Sequence, residues 1–123
     1  MTFCDELPIS AIEAGADLSA QSTHKILGSL TQTSMLMLKK KFSERVKLAA
    51  SLLQTTSPNQ LLLASLDIAR LQMETGGREI ISKAVALSKN LRGAIKKIHG
   101  LKVFDAANLD LTKVTVNVEG LGL

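Results

Sequence analysis

The chain has 123 residues, enough for one small domain or for a piece of a larger one. Apolar residues make up 46% of it and charged residues 21%, a globular balance that excludes wholesale disorder. With no Trp, no Tyr and three Phe it is not a module that stacks nucleic-acid bases on aromatic rings, and the net charge of +4 is too mild to argue otherwise.

The single cysteine, Cys4, can neither staple the chain nor make a zinc site with two histidines. It is expected to be an ordinary small apolar side chain. Met1 to Pro8 carry Asp5 and Glu6 and do not read as a signal peptide. The apolar runs are too short to span a bilayer. The expected setting is the cytoplasm, with no membrane, nucleic-acid or metal partner.

The first predicted element is a short helix over Leu7–Ala14, with Ser10 and Glu13 at capping-box spacing and Gly15 as its stop. Strands are predicted over Asp17–Ser22 and Thr31–Leu38. The short link between them makes them antiparallel neighbours. Met35 and Met37 alternate on the second and are read as packing groups. Lys39-Lys40-Lys41 interrupts the apolar pattern.

An amphipathic helix is predicted over Phe42–Gln54, with Val46, Ala49, Ala50 and Leu53 on its apolar face. A second starts at Pro58, with Ser57 as N-cap, and runs to about Glu74. Its Leu61–Leu66 segment is apolar on nearly every side and is expected to be buried. Gly76-Gly77 should end that helix. A third is predicted from Arg78 to about Ile98, with His99 as a capping residue and Gly100 as the stop. Lys89, Arg92, Lys96 and Lys97 are expected on a solvated basic face. Leu101–Phe104 and Lys113–Val118 then read as strands. Two strand pairs at opposite ends, with an apolar glycine-containing tail at Val118–Leu123, give the expectation that the chain is a slice of a larger fold.

His24-Lys25 is the sharpest local feature. It follows a strand and is flanked by the hydroxyl residues Ser22, Thr23 and Ser29. A lysine among neutral groups at a strand end suits imine chemistry. A hydroxyl three residues earlier suits a phosphate. Spacing alone does not separate this reading from a surface lysine beside a surface histidine, because S-x-x-K is short.

The blocks Asp5–Asp17, Gln21–Lys25, Leu30–Leu36, Leu52–Pro58, Leu63–Arg70, Asp110–Lys113 and Gly120–Gly122 occur in an order that closely resembles the major domain of the Orn/Lys/Arg decarboxylase family. The resemblance implies an α/β fold. It would be a fragment of the aspartate-aminotransferase-like (fold type I) architecture, mostly helical with two short β pairs. It also implies a division into residues 1–77 of the cofactor-binding large domain, a long interdomain helix over 78–100 and the start of the small C-terminal domain over 101–123.

In function, the resemblance implies pyridoxal 5'-phosphate-dependent decarboxylation of lysine, arginine or ornithine to an amine of polyamine biosynthesis, in a homodimeric parent enzyme. Lys25 looks like the lysine that carries the cofactor as an imine. His24 is similar to a histidine lining the cofactor pocket, and Ser22 matches a contact to the cofactor phosphate. Thr56 and Ser57 resemble a segment that reaches the neighbouring subunit's cofactor, whereas the residues alone make Ser57 a plain helix cap. The family's aspartate partner of the ring nitrogen would lie upstream of the region matching Thr2, and neither Asp5 nor Asp17 replaces it by motif position. The expectation is therefore an incomplete, inactive chain from such an enzyme. The alternative is a non-catalytic protein that associates with a full-length relative.

Overall fold

A computed structural model describes residues 4–120. By internal contacts the chain falls into two compact units, Ser10–Thr75 and Met1–Ile9 with Gly76–Leu123.

In the unit Ser10–Thr75 the capping box forms. The Glu13 carboxylate accepts from the Ser10 amide at 3.0 Å and hydroxyl at 2.8 Å, and Ser10 Oγ accepts from the Glu13 amide at 3.3 Å. The helix predicted over Leu7–Ala14 is corrected to turns over residues 11–15. Gly15 follows at φ +109°, a conformation that leaves the helix directly after one turn.

Strands β1 (Leu18–Gln21) and β2 (Met35–Leu38) pair antiparallel, in the register Leu18↔Leu38 to Gln21↔Met35. The Lys39 amide extends the ladder to Asp17 O at 3.0 Å. Lys41 and Lys39 both hold the Asp17 carboxylate, at 3.1 and 3.3 Å. The hydrogen bond from Lys41 is the main cause of a lowered Asp17 pKa. Thr31–Ser34 do not extend β2 as predicted. Gln32 adopts φ +77°, which is incompatible with a strand.

Helix α1 covers Ser43–Leu53. Val46 and Ala50 of its apolar face are half-buried, but Ala49 and Leu53 are exposed. Helix α2 covers Gln60–Ile95 without interruption. Its cap is Asn59, whose Oδ1 accepts from the amides of Leu61 at 3.0 Å and Leu62 at 3.3 Å. Ser57, the predicted cap, lies two residues too early. The predicted break at Gly76-Gly77 is absent. Neither glycine has the positive φ a helix C-terminus would take.

The buried side of α2 is a stripe at helical spacing: Ala69, Met73, Gly77, Val85, Ser88, Arg92 and Ile95. Arg92 is thus a correction to the predicted solvated basic face. The expected burial of Leu61–Leu66 is also corrected. Leu61 is 73% exposed and Leu63 48%, while Leu62, Ser65 and Leu66 are half-buried.

The other unit holds the C-terminal part of α2 and the antiparallel strands β3 (Leu101–Val103) and β4 (Val116–Val118), paired from Leu101↔Val118 to Val103↔Val116. Gly100 enters β3 at φ +82°. Because α2 ends at Ile95, His99 lies in the exposed turn ahead of Gly100 rather than on a helical end. Lys113–Thr115 lie outside β4. An Asp110-centred turn bends the chain there, and Arg92 takes the Lys113 carbonyl. Cys4 is buried and free.

Candidate functional site

β1 delivers the chain into a tight 3-10 turn at Thr23–Lys25. The Lys25 amide donates to Ser22 O at 3.1 Å. The Ile26 and Leu27 amides donate to Thr23 O at 3.2 and 2.8 Å. Thr23 is buried under the turn. Ser22 and Lys25 are exposed, and His24 is half-buried. Ser22, His24 and Lys25 therefore lie on or directly before one turn at the end of a strand.

Thr33 returns to this turn from the far side of the connecting loop. Its carbonyl lies 2.6 Å from His24 Nδ1 and also accepts the His24 amide at 3.4 Å. Thr33 is buried, and its hydroxyl lies 2.7 Å from Leu30 O and 2.6 Å from Ser29 Oγ. The Leu30 amide donates to Ser65 Oγ on α2 at 3.2 Å. Sequence reasoning missed Thr33 because Thr31–Leu38 read as one strand. The one local signal against that strand was the polar run Thr31-Gln32-Thr33-Ser34.

Most lysines are neutralised by a carboxylate. Lys39 and Lys41 share Asp17. Lys47 pairs with Glu44, Lys83 with Glu79, Lys89 with Glu6, Lys96 with Asp105, Lys102 with Glu119 and Lys113 with Asp110. Among the described residues, Lys25, Lys40 and Lys97 have no such partner. Lys40 and Lys97 each sit next to another lysine, while Lys25 sits beside His24 and three residues after Ser22. The Ser22 hydroxyl, His24 Nε2 and the Lys25 amine have no hydrogen-bond partner among the described residues. An amine, a hydroxyl and an imidazole nitrogen within four residues, without hydrogen-bond partners among the described residues, are groups of the kind that could take an aldehyde and a phosphate.

Thr56 and Ser57 lie in the exposed connection between α1 and α2. The Ser57 amide donates to Thr55 Oγ1 at 3.1 Å. No hydrogen bond among the described residues joins Thr56 or Ser57 to the His24–Lys25 turn, and their hydroxyls have no partner there.

Residues 1–117 match the family described as Orn/Lys/Arg decarboxylase, major domain. The chain belongs to this family. It is 40% identical to an arginine decarboxylase of Bacillus subtilis (strain 168) over 131 aligned positions, which cover 98% of this chain and 27% of that protein. It is 43% identical to an arginine decarboxylase of Bacillus anthracis, over the same shares of the two chains. An arginine decarboxylase of Halalkalibacterium halodurans is 40% identical, again with 98% of this chain and 27% of the relative covered. The chain thus spans about a quarter of the length of these relatives. No solved structure gives a significant match. The small mixed architecture, one long helix and two short sheets, is compatible with a piece of a decarboxylase domain. No helix among the described residues is long and apolar enough to cross a membrane.

Proposed function

We propose that this chain carries the cofactor lysine of a pyridoxal-phosphate-dependent decarboxylase of a basic amino acid, and that this lysine is Lys25. The observation that carries the reading is the Lys25 amine. It has no carboxylate partner among the described residues, in a chain that pairs most of its lysines, and it stands beside His24 and Ser22 in a decarboxylase-family sequence. The fold of the whole enzyme is the aspartate-aminotransferase-like type, and the assembly is a cytoplasmic homodimer. Arginine is favoured over lysine and ornithine by the names of the relatives.

When bound, pyridoxal phosphate supplies an electron sink for loss of the substrate carboxylate. Lys25 would hold the cofactor through Nζ. Ser22, which directly precedes the Thr23–Lys25 turn, would donate its hydroxyl to the phosphate. His24, half-buried on the same turn, would line the cofactor pocket, with no hydrogen-bond partner at Nε2 among the described residues. Thr56 and Ser57 offer exposed hydroxyls to the partner subunit's site. As the chain spans about a quarter of its relatives, it is expected to take the cofactor without turning over arginine alone.

The test is borohydride fixation of pyridoxal phosphate on the 123-residue chain, followed by peptide mapping. Lys25 should be labelled well ahead of Lys40 and Lys97, which likewise have no carboxylate partner among the described residues. Equal labelling of the three would overturn the assignment.

A second reading, a non-catalytic chain that associates with a full-length decarboxylase, is favoured by the exposed leucines of α1 and α2, such as Leu52 and Leu61. Co-elution with a full-length relative would support it. Separate elution would count against it.

A further inference from the structure

We infer that Thr33 is a positioning residue that holds His24 as its Nδ1–H tautomer, leaving Nε2 as the one ring atom that gains or loses a proton. The use of that atom rests on reading the His24–Lys25 turn as the reaction site. The tautomer itself rests on geometry alone.

A carbonyl oxygen can only accept. The 2.6 Å contact between Thr33 O and His24 Nδ1 therefore requires the proton on Nδ1. The same oxygen accepts the His24 main-chain amide, so the ring and its own backbone are tied to one atom.

That atom is itself fixed. The Thr33 amide donates to Leu30 O at 3.3 Å, and the Thr33 hydroxyl donates to the same oxygen at 2.7 Å. With that proton committed, the 2.6 Å contact to Ser29 must be a donation from the Ser29 hydroxyl. Gln32, at φ +77°, folds Thr33 back beneath the turn. Leu30 is anchored to α2 through Ser65, whose hydroxyl donates to Leu62 O at 2.8 Å. The order of donors runs unbroken from the Ser29 hydroxyl to Thr33 and Leu30.

The consequence is a ring that changes charge without turning. Neutral, it presents a lone pair at Nε2. Protonated, it keeps Nδ1–H on Thr33 and carries the second proton at Nε2. An amino-acid substrate arrives as an ammonium and must lose a proton before its nitrogen can attack. An N–H bond of the ammonium breaks, Nε2–H forms, and the electron pair stays on the substrate nitrogen.

The test is a long-range proton–nitrogen correlation spectrum of the chain with 15N-labelled histidine, in alkaline buffer where imidazoles are neutral. His24 should show a protonated Nδ1 and a bare Nε2. His99, exposed and without a hydrogen-bond partner among the described residues, serves as the reference with the ordinary preference for Nε2–H. Thr33→Val, which removes both hydroxyl bonds, should move His24 toward the His99 pattern, and Thr33→Ser should restore it. A protonated Nε2 on His24 in the unmodified chain would overturn the inference whether or not the valine variant folds. So would an unchanged tautomer in a folded Thr33→Val. Borohydride labelling of the same samples separates the two readings. Loss of Lys25 preference alone removes the assignment of Lys25 as the cofactor lysine, while a wrong tautomer with Lys25 labelled removes only the role of Thr33.

Discussion

Arg92 Nη2 donates to the carbonyl of Lys113 at 2.8 Å while Nη1 donates to that of Phe104 at 2.9 Å, so one guanidinium closes both ends of the loop between β3 and β4. The fork suits this task because its donors diverge at a fixed angle. Arg92 is 7% exposed, and losing it would strand both carbonyls. Arg92→Met should therefore cost about 2–4 kcal/mol, two charge-assisted bonds less the gain of an apolar side chain. Arg92→Lys should recover part of this, since one ammonium cannot match the fork. Urea midpoints of the three proteins check the order. Equal midpoints for arginine and lysine would refute the bidentate role.

The start of α2 gives a sharper comparison. Asn59 satisfies two end amides, and Ser57 satisfies none. Asn59→Ala should lower stability by about 1 kcal/mol, the usual value of a lost N-cap. Ser57→Ala should change it by less than about 0.5 kcal/mol. A thermal melt of each variant is sufficient. A larger loss at Ser57 would place the cap where the sequence pattern first put it.

That pair shows what was legible. Ser-Pro-Asn offers two capping residues around a proline, and local chemistry does not choose between them. The helical middle and the approximate strand positions followed from periodicity, and the antiparallel pairing of β1 and β2 from the short link between them. Gly76-Gly77 did not behave as a stop, because the buried stripe of α2 outweighs the intrinsic cost of two glycines. Ser22, His24 and Lys25 were legible as a cluster since they are consecutive or nearly so. Thr33 was not, because its contact to His24 depends on the fold of the intervening loop.

Gly76→Ala tests the continuity of α2. A Cβ built there meets Ile80 Cδ1 at 3.8 Å, an ordinary contact, and nothing nearer. The substitution should add about 0.5–1 kcal/mol through lower unfolded-state entropy and better helix propensity. A rise in melting temperature with unchanged helical circular dichroism is the expected result. Destabilisation would mean that the helix breaks at this glycine.

Asp110 sets a pH dependence in the same loop that Arg92 closes. Its Oδ1 accepts from the Thr112 amide at 2.9 Å and hydroxyl at 2.6 Å, and its Oδ2 accepts from Lys113 Nζ at 2.8 Å. Burial pushes the carboxyl up, but the bonds from Lys113 and Thr112 together outweigh it, and the pKa is lowered. The folded chain thus binds this proton less readily than the unfolded chain. The contribution is whole above the ordinary aspartate value near pH 4 and is lost as pH falls through the depressed folded value. With the Asp110 side chain 46% exposed, screening keeps the effect within about 1 kcal/mol. Urea midpoints measured from about pH 6 down to about pH 3 should fall more steeply for the unmodified chain than for Asp110→Asn. Parallel curves would show that the Lys113 and Thr112 bonds do not favour the charged carboxylate.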